Sequence, residues 1–168
     1  MLDAGLNDFR VLLAATMSSC VPWTVRPIEK EGSAAFDAGR YVESIWDSKV
    51  VTAPGLMRGE GKVARMEEGA LLVEGADGTR VAVLTGPVIR GTALRDALPF
   101  IQFSQFVNQL EFARVGNALN ERAARVARTA VGAGDVVGCL ARYAGAAVRK
   151  RDLVEVTPVT LEIVRGSR

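Results

Sequence analysis

The chain of 168 residues has no histidine and only two cysteines. Without imidazole there is no Ser-His-Asp or Cys-His triad, no histidine acid–base and no His-ligated metal. Two thiols cannot complete a four-cysteine zinc site. Charge of one sign is also scarce. Lys and Arg number 21 against 19 Asp and Glu, a net charge of +2 that does not by itself argue for nucleic acid. Long apolar runs are missing: the seven residues Val11 to Met17 fall short of the ~18 needed to span a bilayer. What is present, 49% hydrophobic and 24% charged residues, is the composition of a folded globular chain. The length suits one domain with a substantial core.

The N-terminus reads as an address. Val11–Met17 is followed by Ser18-Ser19-Cys20. An apolar run, small residues and then Cys resemble the lipobox of bacterial lipoproteins, where cleavage precedes the Cys and the new N-terminus is acylated. Met17 stands where Leu is usual, and Asp3 and Asp8 outnumber Arg10 in a region that should be positive. The competing reading is an ordinary first helix ending at Ser18. Pro22 and Pro27 favour an extended tether after Cys20. The expected layout is a signal peptide over 1–19, a tether over 20–32 and one globular domain over 33–168. Several acyl chains on Cys20 would anchor durably, leaving Cys139 as a core thiol.

Further along, Asp37 is expected to cap a helix over 38–50, with Tyr41, Val42, Ile45, Trp46 and Lys49 on or near one face. Residues 57–65 alternate and are glycine-rich, which suits a bent strand. Strands are expected over 70–74 and 79–84, joined through Gly75-Ala76-Asp77-Gly78, a hairpin signal. Residues 88–90 would extend the sheet. Thr92 would cap a short helix stopped by Pro99, and Ser104 another turn. Residues 109–115 alternate like a strand, with Asn117 capping a helix to Thr129 that Gly132-Ala133-Gly134 breaks. Residues 135–143 and 153–164 close the chain as strands, with Pro158 at an edge or a bulge. This order suits an α+β, mainly β protein: a small, partly open OB-like β-barrel with two or three flanking helices. A two-layer α+β sandwich is the alternative.

Three segments together, Ala35-Phe36-Asp37 with Tyr41–Val50, Gly86–Phe103 and Phe106–Ala123, resemble the predicted periplasmic lipoproteins of domain-of-unknown-function family 2291. The resemblance implies a lipobox Cys followed by a Val-Pro stretch, as in Cys20-Val21-Pro22. It implies a bacterial periplasmic location on the inner or outer membrane and a loose association with sugar ABC-transport components, but no activity. Members usually carry a longer helical insertion after the Asp-Ser-Lys-Val motif; this chain does not.

Candidate chemistry is sparse. Trp46, Asp47 and Lys49 could form a sugar platform, or Trp46 could pack in the core. Arg90, Thr92, Arg95 and Asp96 could bind a carboxylate or phosphate, or the charges could pair within the fold. Asn108 and Gln109 could meet a sugar, or satisfy loop backbone. Asp47, Asp96 and Glu111 could supply a hydrolase pair, though nothing fixes their separation. Arg114, Arg122, Arg125 and Arg128 suit anionic headgroups better than nucleic acid; Arg outnumbers Lys 17 to 4 throughout. The expected function is therefore a lipid-anchored, non-enzymatic binding or accessory protein of the envelope. Its partners would be the membrane through Cys20 and a small solute such as a sugar, or parts of a transport system, with no cofactor, metal or nucleic acid. A protein–protein interaction module is the alternative and a carboxylate hydrolase the weaker one.

Overall fold

Asp37 opens the first element of the computed structural model, which describes residues 35–166. Its backbone is extended and its carboxylate accepts from Arg40 N at 3.0 Å, capping helix α1 (Ala38–Ile45). The expected helix to Val50 is not uniformly α-helical. It widens into a π-helical turn over Trp46–Val50, closed by Val51 N donating to Trp46 O at 2.9 Å. Ile45 and Trp46 share the buried face of Val42, and Val50 is also in the interior.

Five strands follow: β1 (Met57–Glu67), β2 (Ala70–Glu74), β3 (Arg80–Leu84), β4 (Leu140–Lys150) and β5 (Leu153–Val164). They close into a barrel in the order β1-β2-β3-β5-β4. Every pairing is antiparallel except β3 with β5, where Val81–Val83 run beside Val154–Val156 and complete the ring. The expected barrel is thus present, and it closes through three residue pairs. The β2–β3 turn forms as its Asp-Gly signal predicts. Asp77 accepts from both the backbone and the hydroxyl of Thr79, and Gly78 takes φ 79°.

Closing so small a barrel needs sharp local bends. Register shifts occur between Val63 and Arg65 in β1 and between Ala144 and Gly145 in β4. Pro158 sits opposite Gly145, at the second shift, as its missing N–H requires. A Cβ on Gly145 would lie 2.0 Å from Thr157 O. On Gly59 it would lie 2.5 Å from the Tyr143 hydroxyl, so that ring crosses β1 where only glycine fits.

Between β3 and β4 lie α2 (Ala93–Asp96), a 3₁₀ turn (Phe103–Gln105) and the long helix α3 (Gln109–Val131). Four expectations are corrected here. Residues 88–90 are not strand. Residues 109–115 are the first turns of α3, whose cap is Asn108 and not Asn117: Asn108 Oδ1 accepts from Glu111 N at 2.9 Å, and Glu111 accepts from Val107 N at 3.1 Å. This reciprocal capping outweighs the short alternation, which is embedded in the longer helical stripe Val115, Leu119, Ala123, Ala127. The 3₁₀ turn is capped by Gln102 instead of Ser104. Finally, residues 135–139 are a turn, with Val137 N bonded to Asp135, and the strand begins at Leu140.

The buried side chains form two cores. One fills the barrel with Val63, Leu71, Val73, Val81, Val83, Tyr143, Val156 and Leu161. The other joins α1, its π turn, α2 and α3 to Ala146 and Val159 of β4 and β5. Helix α3 serves both: Val115, Leu119 and Ala123 pack in the helical core, and Ala127 in the barrel core.

Candidate functional site

The loop leaving β3 meets the β4–β5 side of the barrel at a cleft of about 530 Å³. Arg90, Thr92 and Asp96 line it from the loop and α2; Lys150, Glu155 and Thr157 line it from the strands. The loop is held from behind. Asn120, buried on α3, donates from Nδ2 to Gly91 O at 2.8 Å, and Gly91 takes φ 104°, a conformation that favours glycine. Thr157 is one of two buried polar residues among the described ones, with Asn120 the other.

Most charges in the cleft are already engaged. Lys150 Nζ lies 2.5 Å from Glu155. Arg95, behind the cleft, binds Asp96 Oδ1 through both Nε (3.0 Å) and Nη2 (2.9 Å) while its guanidinium sits 4.1 Å from the Phe112 ring centre. The Thr92 hydroxyl is the largest cause holding the Asp96 carboxyl below the usual carboxylate range; burial opposes it, and the Arg95 guanidinium adds to the lowering. Of the four charged residues lining the cleft, Arg90, which is exposed, is the one that makes no hydrogen bond or ion pair with the described residues. The cleft therefore offers one unengaged guanidinium amid fixed dipoles, suited to an anionic or hydroxyl group of a small solute.

The other candidates are placed elsewhere. Trp46 is 2% exposed, in the helical core, with the Arg122 guanidinium 5.3 Å from its ring centre. It offers no face to a sugar, since it lies on the buried face with Val42 and Ile45. Asp47 and Lys49 stay exposed on that turn. Asn108 is used as the α3 cap, and Gln109 is exposed beside it. The acids considered for hydrolysis are dispersed: Asp47 on the π turn, Glu111 capping Val107 N, and only Asp96 in the cleft. Arg122 and Arg125 both pair with Glu43 of α1, so they fasten α3 to α1. Sequence reasoning missed Lys150, Glu155 and Thr157; nothing local to the β4–β5 hairpin signals that it faces the Arg90 loop.

A second cleft, of about 510 Å³, lies between the far end of β1 and the β4–β5 hairpin and includes Arg65, Leu72, Arg80 and Arg151.

The family model described as predicted periplasmic lipoprotein (DUF2291) matches residues 55–162, more than half of the chain. The chain belongs to this family. It is accordingly a periplasmic, membrane-anchored lipoprotein, and the matched span covers the whole barrel except the last residues of β5, together with α2 and α3. The Tyr41–Val50 motif precedes that span. A solved OB-fold protein from Thermotoga maritima is similar in structure, with a TM-score of 0.55 and 17% identity over 76% of this chain and 98% of its own. At that identity the likeness shows the fold alone. No curated protein matches the chain. Cys20 and the spans expected to be a signal peptide (1–19) and a tether (20–32) lie outside the described residues.

Proposed function

We propose that this DUF2291 lipoprotein is tied to the membrane through acylated Cys20 and acts as a non-enzymatic binding protein, holding a small polar solute in the Arg90 cleft as an accessory to solute uptake. The observation that carries the reading is the unengaged Arg90 guanidinium in a cleft whose other charges are paired and whose loop is pinned by Asn120. A pre-ordered loop lowers the cost of binding. The burial of Trp46 removes the stacking platform that neutral sugars favour, so sugar acids and sugar phosphates fit the cleft better. Asp96, held ionised by Thr92 and Arg95, is unsuited to proton donation, which supports a binding role over hydrolysis.

A thermal-shift series on the full chain against sugar acids, sugar phosphates and their neutral parents tests this. An acidic solute at 100 times its Kd stabilises by about 2.7 kcal/mol, a shift of several degrees that Arg90→Ala should abolish. No shift with any of the series, or shifts indifferent to Arg90→Ala, would refute the proposal. The alternative, an interaction module, has one observation in its favour: Phe103, Val107 and Leu110 are large apolar residues left exposed.

A further inference from the structure

Those three residues share one short segment. Phe103 is 49% exposed, Val107 86% and Leu110 59%. They run from the 3₁₀ turn into the first turn of α3. Behind them stands a group of rings: Phe103 lies 5.6 Å from Phe112, Phe112 5.6 Å from Phe106, and Phe106 5.7 Å from Phe36.

Phe36 is where the N-terminal segment joins the domain. The chain that leads back to Cys20 therefore leaves the domain beside this apolar segment. From Cys20 to Ala35 the chain reaches at most about 50 Å when fully extended.

Five backbone donors of the segment are satisfied within it. Gln102 N donates to the Gln105 side chain, Gln105 N to Gln102 O, Phe106 N to Phe103 O, Val107 N to Glu111 Oε2, and Glu111 N to Asn108 Oδ1. Glu111, within the segment, is spent on the Val107 N–H. Arg114, one turn beyond Leu110 and exposed, places a cation where an anionic headgroup would lie.

We infer that Phe103, Val107 and Leu110 are the lipid-contacting patch of the domain, seated at the headgroup–acyl boundary of the membrane that holds the anchor. The inference rests on anchoring through Cys20. Exposed large apolar residues gathered in one place mark interaction surfaces, and the position of the chain exit selects the bilayer as the partner. The domain would be held at the membrane surface in a fixed orientation, not left to swing on its tether.

The test uses the full acylated chain in vesicles of phosphatidylethanolamine and phosphatidylglycerol, with Cys139→Ser as background. A polarity-sensitive fluorophore is placed at Val107→Cys or, as control, at Glu162→Cys on the exposed face of β5. Lipids bearing a nitroxide near the headgroup should quench the label at 107 severalfold more than the label at 162. Phe103→Glu with Leu110→Glu should remove that excess while leaving the circular dichroism spectrum unchanged, because both side chains are exposed. Equal quenching at the two positions, with palmitate present on Cys20, would overturn the patch alone. Absence of palmitate on Cys20 would overturn the anchor and the patch with it. Intermolecular disulfides between unlabelled Val107→Cys chains, without quenching of the labelled ones, would assign the segment to a second copy of the chain.

Discussion

The barrel core and the helical core answer the same demand with different side chains. Valines dominate the barrel: Val63, Val73, Val81, Val83 and Val156, with one Leu71 fully buried among them. The helical core takes Trp46, Ile45, Ile89, Ile101, Leu94, Leu98 and Leu119, and lines α3 with Ala123 and Ala124. The difference is geometric. Strand spacing and closure set the bore of a five-stranded barrel, so its interior admits compact β-branched side chains that sit well on a pleated surface. Helices can move apart to admit an indole, with alanines where they must approach closely. The barrel is therefore sensitive to added volume, and the helical core to lost volume.

That contrast can be tested from both sides. The largest effect is expected from Trp46→Ala, about 3–5 kcal/mol of stability by denaturant unfolding, with Leu119→Ala at about 2–5 kcal/mol. Because α3 belongs to both cores, unfolding should stay a single transition. Separate transitions for barrel and helices would break the picture of one cooperative unit.

Next comes Gly145→Ala. The new methyl would lie 2.0 Å from a backbone oxygen that a side-chain movement cannot clear. A loss of about 1–3 kcal/mol, the range for overpacking, is expected. Amide exchange should quicken around Ala144–Ala146 and Thr157–Thr160 before it quickens in α3. Even loss of protection across both cores would show that the barrel seam is not the weak point.

The smallest effect concerns acid. The Asp96 carboxyl is held below its ordinary value, so its contribution is present above about pH 4 and is lost as pH falls through the folded-state value. Its side chain is 56% exposed, and screening keeps the contribution below about 1 kcal/mol. Asp96→Asn should flatten the acid limb of the stability curve by that amount. Thr92→Val should raise the Asp96 value as followed by carboxyl NMR. An unchanged Asp96 titration in Thr92→Val would remove the hydroxyl as the cause.

Much of the barrel was legible because its signals are local. The Gly75–Gly78 turn, the strands around it and the β5 span follow from turn chemistry and alternation, and Pro158 was correctly expected at an edge or a bulge. The start of α3 was not legible in the same way. Residues 109–115 satisfy a strand's alternation and a helix's stripe equally over so short a window, and the decision comes from the cap, where Asn108 Oδ1 accepts from Glu111 N and the Glu111 carboxylate accepts from Val107 N. The π turn over Trp46–Val50 was invisible, whereas the burial of Trp46 follows the face it shares with Val42 and Ile45. At the candidate cleft, the loop side showed in the dense polar run Arg90 to Asp96. The strand side, Lys150, Glu155 and Thr157, did not, since those residues lie more than fifty positions away.

Composition, turn residues, caps and alternation were enough to exclude histidine chemistry, to specify the hairpins and to suggest an OB-like barrel, because each depends on residues within a few positions of one another. The parallel β3–β5 pairing, the sharing of α3 between two cores and the meeting of the Arg90 loop with the β4–β5 hairpin depend on contacts across the whole chain. Many local patterns are compatible with more than one such arrangement. Burial selects among them, since this arrangement buries the valines in the barrel and Trp46 among the helices at once.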